Sequence, residues 1–150
     1  AFAKTQMAVQ PPLPENGNVF LSVKDEDKDK IIDLARRLSR LGFSIYSTSG
    51  TAKILKQNDV AVTKLFKIDE GRPNVVDLIK NGEMNLIINT PSTGMIPRRD
   101  ENIIRTEAVN MSVCMVTTIS AAHTSVEAIE ALRHHNFEVV SLQEYYKIDS

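Results

Sequence analysis

Residues 43–51 read Phe43-Ser44-Ile45-Tyr46-Ser47-Thr48-Ser49-Gly50-Thr51. The first five residues predict a β-strand, the next three form a hydroxyl-rich turn with a glycine, and Thr51 begins a helix predicted to reach residue 58. A helix start has free N–H groups and a dipole that favour an anion, and nearby hydroxyl groups can donate to phosphate oxygens. A second interpretation is equally open, in which Thr48 or Ser49 only caps the helix and Gly50 relaxes the turn.

The same alternation of strand and helix extends to both sides of this segment. Strands are predicted at residues 19–23, 63–68, 86–88, 113–116 and 139–141. One helix is predicted to follow the acidic residues 25–27, and its apolar face ends just before Gly42. Further helices are predicted at residues 73–80, 102–110 and 120–133. Such alternation predicts an α/β fold, a three-layer, doubly wound, parallel sheet of about five strands with right-handed crossovers.

A proline-rich segment marks the expected domain boundary. Residues 10–17 read Gln10-Pro11-Pro12-Leu13-Pro14-Glu15-Asn16-Gly17, and three prolines beside an Asn-Gly turn exclude a helix there. We therefore expect residues 1–16 to be a linker from a preceding element and residues 17–150 to form one domain. Because the chain begins with Ala1 instead of Met, we expect a fragment of a longer protein or a processed chain.

Composition narrows the function further. The 150 residues are 42% hydrophobic and 25% charged, as in an ordinary compact domain. Eighteen Lys and Arg against 19 Asp and Glu give a net charge of −1, which argues against a nucleic-acid partner and leaves a local cationic pocket open. No apolar run approaches the ~20 residues that span a bilayer, so no membrane partner is expected. The single cysteine cannot form an internal disulfide, so we expect a cytoplasmic location.

Polar residues that follow the strands are the candidates for a binding site. Ligands of open α/β sheets bind outside the carboxyl ends of the strands. The residues in those positions are Ser22, Lys28, Thr48, Ser49, Gly50, Thr51, Lys67, Asn89, Thr90, Thr117 and Thr118. Since all of them would line one rim of the sheet, we expect this rim to hold a phosphorylated ligand.

Other polar residues offer no catalytic or metal site. The charges of residues 98–101, Arg-Arg-Asp-Glu, are placed in a long loop as a solvated cluster, although a mobile loop could bring an arginine to a phosphate. His123, His134 and His135 lack a metal-ligand spacing with Cys114, which is itself predicted to be an inert core residue. No Ser/His/Asp arrangement and no tuned carboxylate is evident. We therefore expect a chain without catalytic residues and without a metal ion.

Several motifs together carry a resemblance to a known family. They are Phe20-Leu21-Ser22-Val23, Asp27-Lys28, Leu41-Gly42-Phe43, Ser47-Thr48-Ser49-Gly50-Thr51-Ala52, Lys67, Glu70-Gly71-Arg72-Pro73-Asn74, Ile79-Lys80-Asn81-Gly82-Glu83, Ile87-Ile88-Asn89-Thr90, Ile104-Arg105, Ala108 and Thr117-Thr118. On these motifs, residues 18–150 resemble the methylglyoxal-synthase-like domain, and more closely the C-terminal regulatory domain of the carbamoyl-phosphate synthase large subunit. The combination of the Glu-Gly-Arg-Pro and Lys-Asn-Gly-Glu motifs is specific to the synthase branch.

The resemblance implies an allosteric effector-binding domain. Such domains bind UMP as an inhibitor and, in some members, IMP as an activator, and they control carbamoyl phosphate synthesis for pyrimidine and arginine biosynthesis. The implied nucleotide-binding positions are Ser22, Lys28, Thr48, Thr51, Lys67, Asn89 and Thr90, with Ser49 and Gly50 completing the turn. Thr117 matches a threonine at the ornithine site of ornithine-responsive members and is the candidate for a second effector site.

The resemblance also implies partners. The parent would be a glutamine-hydrolysing, ATP-dependent ligase, whose other large-subunit domains use ATP and a divalent metal ion. A glutamine amidotransferase small subunit would complete it. The fragment itself would be non-catalytic and would hold no cofactor apart from its effector, UMP or IMP.

The sequence departs from the synthase pattern at two positions and over residues 92–101, where the loop is one residue longer and ordered differently. Pro91 replaces a threonine of the phosphate-holding turn, and Met115 replaces a tyrosine of ornithine-responsive members. Arg72 stands where methylglyoxal synthases carry their catalytic aspartate, and a guanidinium cannot act as a general base. The alternatives are a methylglyoxal synthase, an inosine-monophosphate-cyclohydrolase-like enzyme domain, and a regulatory domain for acetylglutamate.

Overall fold

The computed structural model describes residues 12–90 and 98–149. The expectations for residues 1–11, for Pro91 and the loop that follows it, and for Ser150 lie outside this part of the chain. The described strands are β1 (Asn18–Ser22), β2 (Ser44–Ser47), β3 (Thr63–Lys64), β4 (Leu86–Asn89) and β5 (Cys114–Val116). The described helices are α1 (Lys28–Arg40), α2 (Ser49–Gln57), α3 (Val75–Lys80), α4 (Arg98–Asn110) and α5 (Ile119–Asp149), and a 3-10 turn spans Asp25–Asp27.

The five strands form one parallel sheet in the order β3-β2-β1-β4-β5. In the central strand β1, Phe20 pairs with Tyr46 on one side and with Ile87 on the other. The chain therefore winds outward from β1 in both directions, and the carboxyl ends of all five strands lie at the same edge. The predicted doubly wound, five-stranded parallel sheet is confirmed.

Alternate residues of β1 face two separate apolar cores, because successive side chains of a strand point to opposite faces. The core against Leu21 includes Leu34, Leu38, Leu55, Val126 and Ile129, from α1, α2 and α5. The core against Phe20 includes Leu78, Ile79, Ile104 and Ala108, from α3 and α4. Helices thus cover both faces of the sheet. Full burial of a side chain such as Ile87 or Ile88 contributes about 1.5–3 kcal/mol, which fixes the strands that position the site.

Helix α1 ends at a glycine, as the sequence predicts. Gly42 has φ +94°, and its N–H donates to the Ser39 carbonyl at 3.0 Å. The Phe43 N–H donates to the Leu38 carbonyl at 3.1 Å, which closes the cap. Only glycine adopts this left-handed conformation without a steric penalty, so the turn delivers the chain directly into β2.

The third strand is shorter than predicted. The sequence suggested a strand over residues 63–68, but only Thr63 and Lys64 pair with β2. The Leu65 N–H still donates to the Ser47 carbonyl at 2.7 Å, whereas the Phe66 N–H donates to the Pro73 carbonyl at 3.1 Å. The chain therefore leaves the sheet at Phe66 and forms a local loop.

The strand predicted at residues 139–141 is wrong, because these residues lie inside helix α5. Neither glycine nor proline occurs between Ile119 and Asp149, so nothing in the sequence ends the helix. A short β-branched pair was too weak a signal to interrupt it. Although α5 is 31 residues long, no helix in the described ranges combines the length and apolarity needed to cross a bilayer.

Candidate functional site

A cavity of about 710 Å³ opens at the carboxyl edge of the sheet. The ends of β1 and β4, the start of α1, α2 and α4, and the loop after β3 surround it. Eight of the nine predicted site residues line this cavity, namely Ser22, Lys28, Thr48, Gly50, Thr51, Lys67, Asn89 and Thr90. The ninth, Ser49, is exposed and does not line it, and Thr117 does not line it either.

Helix α2 begins with unoccupied hydrogen-bond donors. Thr48 is its N-cap in an extended conformation, yet the Thr48 side chain makes no capping hydrogen bond. The first helical bond runs from the Ala52 N–H to the Thr48 carbonyl at 2.9 Å. The N–H groups of Ser49, Gly50 and Thr51 therefore lack intrahelical partners. The Thr48 hydroxyl therefore does not cap this helix in the structure.

The ammonium group of Lys28 lies over this helix start. A Cβ built on Gly50 would stand 3.2 Å from Lys28 Nζ, so the ammonium lies beside the open face of this glycine. Lys28 is also the first residue of α1. The ammonium thus lies close to the positive ends of two helix dipoles, a position that becomes favourable when an anion is bound between them.

Asp25 supplies a negative charge to Lys28 in this structure. Its carboxylate accepts a hydrogen bond from Lys28 Nζ, and this bond holds the pKa of Asp25 below its usual range. The Asp25 side chain is almost fully exposed, whereas that of Lys28 is 20% exposed. The lysine is therefore partly desolvated, while its counter-ion approaches from the solvent side and can be displaced.

Two consecutive residues at the end of β4 have different surroundings. Asn89 is only 6% exposed and lines the cavity, and its amide makes no hydrogen bond to any described residue. Among the described residues, no fully enclosed side-chain N or O atom lacks a hydrogen-bond partner, so the Asn89 amide is accessible from the cavity and can bond a ligand there. Thr90 instead accepts a hydrogen bond from the Lys24 N–H at 3.0 Å, and its own N–H donates to the Ser22 carbonyl at 3.0 Å. Thr90 therefore fastens β4 to the turn after β1.

Lys67 reaches the cavity from the loop after β3. The Lys67 N–H donates to Glu70 Oε1 at 3.1 Å, and the Glu70 N–H donates to the Lys67 carbonyl at 2.9 Å. These two bonds close a tight turn. The loop that carries Lys67 is therefore braced by its own backbone.

Residues 98–101 are not the solvated loop that the sequence suggested. They form the first turn of α4, and Arg99, Asp100 and Glu101 line the cavity. Acidic residues favour a helix N-terminus, so the pair Asp100 and Glu101 was the available signal. Lys24 and Phe66 also line the cavity without having been singled out from the sequence.

The charges around the cavity are mixed. The cations are Lys24, Lys28, Lys67 and Arg99, and the carboxylates are Asp25, Glu26, Asp69, Asp100 and Glu101. The cavity as a whole is therefore not cationic. Attraction for an anion is concentrated where Lys28 meets the N-terminus of α2.

Neither Cys114 nor Arg72 lines this cavity. Cys114 is buried in β5, and burial raises the pKa of its thiol, which keeps it protonated and unreactive. The Arg72 side chain is 84% exposed and lies 3.5 Å from the Asp77 carboxylate. Within the described ranges, no three His, Cys, Asp or Glu side chains cluster as metal ligands would.

Comparison with known proteins gives the family. The family model described as "MGS-like domain" matches residues 30–117, more than half of the chain. The chain belongs to the MGS-like domain family. This MGS-like domain is similar to the crystal structure of the methylglyoxal synthase from Elizabethkingia anophelis. The TM-score is 0.60 and the identity is 16%, over 76% of this chain and 79% of that one. It is also similar to ForH, with a TM-score of 0.56 and 18% identity over 77% and 80% of the two chains. These likenesses confirm the predicted fold.

Curated relatives of the MGS-like domain are carbamoyl phosphate synthase large chains. It is 46% identical to the C-terminal section of that chain in Aquifex aeolicus, over 99% of its own length and 28% of the relative's. It is 45% identical to the large chain of Myxococcus xanthus, over 100% and 14% of the two lengths. It is 38% identical to the arginine-specific, chloroplastic large chain of Oryza sativa subsp. japonica, over 98% and 12%. The MGS-like domain thus spans less than a third of each of these relatives.

Proposed function

We propose that this MGS-like domain is the allosteric effector-binding module of a carbamoyl-phosphate synthase large chain, and that its effector is a nucleoside monophosphate, UMP or IMP. The observation that carries the proposal is the ammonium of Lys28 above Gly50, at a helix N-terminus with open donors. A phosphate group there replaces Asp25 as the partner of Lys28. It accepts hydrogen bonds from the first turn of α2, each contributing about 1.5–3 kcal/mol when the acceptor is charged.

The rest of the cavity suits a nucleoside. Its volume of about 710 Å³ lies in the range of small-molecule sites and exceeds what a phosphate needs. Carboxylates at the start of α4 can accept hydrogen bonds from sugar hydroxyls, and Phe20, Val75 and Ile104 provide an apolar wall. The five carboxylates disfavour the additional charge of a di- or triphosphate, which supports a monophosphate.

The parent protein follows from the relatives. Its remaining large-chain domains would synthesise carbamoyl phosphate with ATP and a divalent metal ion, supplied with ammonia by a glutamine amidotransferase small subunit. UMP control indicates pyrimidine biosynthesis, and the arginine-specific relative supports a role in arginine biosynthesis as well. A single buried cysteine suits a reducing compartment such as the cytoplasm. Thr117 remains the proposed residue of a second effector site.

The test is calorimetric titration of this chain with UMP and IMP. Lys28→Ala should weaken binding roughly 10- to 100-fold, the effect of losing one charged hydrogen bond. Lys30→Ala is the matched control, because Lys30 is an exposed lysine on the same helix and does not line the cavity. Equal binding by Lys28→Ala and the parent chain would contradict the phosphate site.

A catalytic role is tested with dihydroxyacetone phosphate. A methylglyoxal synthase needs a general base at the reacting carbon, and the family position for it holds the exposed Arg72. We therefore expect no methylglyoxal release from the isolated chain. Release above the rate of the buffer would favour the enzyme alternative over the regulatory one.

A further inference from the structure

Phe66 is an exposed aromatic side chain at the cavity. It is 45% exposed, although it is a large apolar residue. The other large apolar residues with comparable exposure in the described part of the chain are Val109, Met111 and Leu132, and none of them lines the cavity. Single exposed apolar residues are common at protein surfaces, but Phe66 lies at the cavity, where a bound ligand can cover the ring.

The backbone that carries the ring is held in place by hydrogen bonds. The Phe66 N–H donates to the Pro73 carbonyl at 3.1 Å, and Phe66 forms a parallel bridge with Asn74. A Cβ built on Gly71 would lie 3.8 Å from Phe66 Cγ and 3.9–4.0 Å from both Cδ atoms. The ring therefore packs against Gly71 and remains open on the cavity side, without a flexible loop that would have to be ordered on binding.

Asn74, the bridging partner of Phe66, is itself firmly held. Its side chain accepts hydrogen bonds from the Val76 and Asp77 N–H groups at 3.0 and 3.3 Å, and it donates to the Gly71 carbonyl at 3.1 Å. The loop is thus joined to the first turn of α3. A ring that is both exposed and preorganised can stack on a flat ligand with little loss of conformational entropy.

We propose that Phe66 is the stacking platform for the base of the nucleotide, an inference that rests on the proposed function. An aromatic ring stacks on purines and pyrimidines alike, because every base has a π-face. Phe66 therefore selects for a base as such, and Lys67, the next residue, faces the same cavity with its charge. The site then discriminates against sugar phosphates and triose phosphates, which carry the anion without a ring to stack.

The test compares ligands with and without a base. UMP, IMP, ribose 5-phosphate and inorganic phosphate are titrated into the parent chain and into Phe66→Ala, Phe66→Leu and Phe66→Tyr. Phe66→Ala should weaken UMP and IMP binding about tenfold or more and leave ribose 5-phosphate affinity unchanged, because the lost interaction is the stacking of a base. Phe66→Tyr keeps a ring and should bind as the parent does, whereas Phe66→Leu keeps apolar volume and should bind nucleotides more weakly. Leu132→Ala, an exposed apolar position outside the cavity, is the control.

Each other outcome counts against a defined claim. If Phe66→Ala binds nucleotides as the parent does, or weakens ribose 5-phosphate equally, the stacking role is wrong while the proposed function stands. If Phe66→Leu binds as well as Phe66→Tyr, the ring contributes only apolar contact, and the stacking role is again wrong. If the parent chain binds neither UMP nor IMP, the proposed function fails and the stacking role fails with it.

Discussion

The ammonium of Lys28 and the Cα of Gly50 are so close that an added Cβ would stand 3.2 Å from Lys28 Nζ. The contact joins the first residue of α1 to the first turn of α2. Since Gly50 does not have a positive φ, the space beside it, and not its backbone conformation, is what a larger side chain would disturb.

Gly50→Ala should therefore weaken nucleotide binding without lowering the free energy of unfolding. Alanine is favoured over glycine in helices by up to about 1 kcal/mol, so the free energy of unfolding should stay level or rise. The methyl group displaces the Lys28 ammonium by a few tenths of an ångström and weakens nucleotide binding. Gln57→Ala is the control, since Gln57 is an exposed residue of the same helix and lies outside the cavity lining. Chemical denaturation and titration calorimetry measure the two effects, and unchanged affinity in Gly50→Ala would contradict the proposed anion position.

Asp25→Asn should strengthen anion binding. The Asp25 carboxylate pairs with Lys28 in this structure, and in the proposed site a phosphate would displace it. Removing its charge leaves Lys28 without a competitor and should increase UMP affinity several-fold at neutral pH. Asp29→Asn, in the first turn of α1 and outside the cavity lining, is the matched control. Weaker binding by Asp25→Asn would mean instead that Asp25 holds Lys28 in place.

Substitution of two buried asparagines, Asn89 and Asn74, should distinguish ligand binding from stability. The amide of Asn89 is accessible from the cavity, so Asn89→Leu should abolish nucleotide binding and leave the free energy of unfolding nearly unchanged. Asn74 caps α3 through the N–H groups of Val76 and Asp77, so Asn74→Ala should lower it by about 1 kcal/mol. Thermal unfolding compares the two. A destabilised Asn89→Leu would indicate that this amide stabilises the empty domain.

The ion pair between α1 and α5 should give a pH-dependent stability. The Arg37 guanidinium donates to the Glu130 carboxylate, which holds the pKa of Glu130 below its usual range. The ion pair contributes fully to the free energy of unfolding at pH values above the usual glutamate pKa. This contribution is lost as the pH falls through the lowered pKa of Glu130. Because Glu130 is partly exposed, Glu130→Gln should cost less than about 1 kcal/mol at pH 7 and nothing at low pH. Glu83→Gln, an exposed control, should show no such dependence.

The sequence predicted the sheet well because apolar runs and helical spacing alternate so regularly. Its errors lie where local pattern had to compete with neighbours. Residues 66–68 have a strand-like composition. The Phe66 N–H, however, donates a hydrogen bond to the Pro73 carbonyl, so the chain leaves the sheet at this point. Residues 139–141 look like a strand only when read apart from the uninterrupted helix that contains them.

The site was predictable for residues that directly follow strands and not for residues brought in from elsewhere. Lys28 and Thr51 could be singled out because the carboxyl ends of parallel strands share one edge. Arg99 and Phe66 reach the same cavity by other routes, from the first turn of α4 and from the loop closed on Pro73. No local sequence pattern predicts that these segments lie at the same cavity, because their proximity depends on tertiary packing.

The cavity borders segments that the strand order places on opposite sides of the central strand: Thr48 and Lys67 belong to the β2–β3 half, and Asn89 and Arg99 to the β4–β5 half. A ligand in contact with both halves acts as a reversible cross-link between them. The rigidity of the sheet then depends on the concentration of the ligand. At a hundredfold excess over Kd such a ligand adds about 2.7 kcal/mol to the free energy of unfolding. Amide hydrogen exchange should therefore slow at both outer strands at once when the effector is added, so that a small molecule seated at one edge is felt across the whole width of the domain.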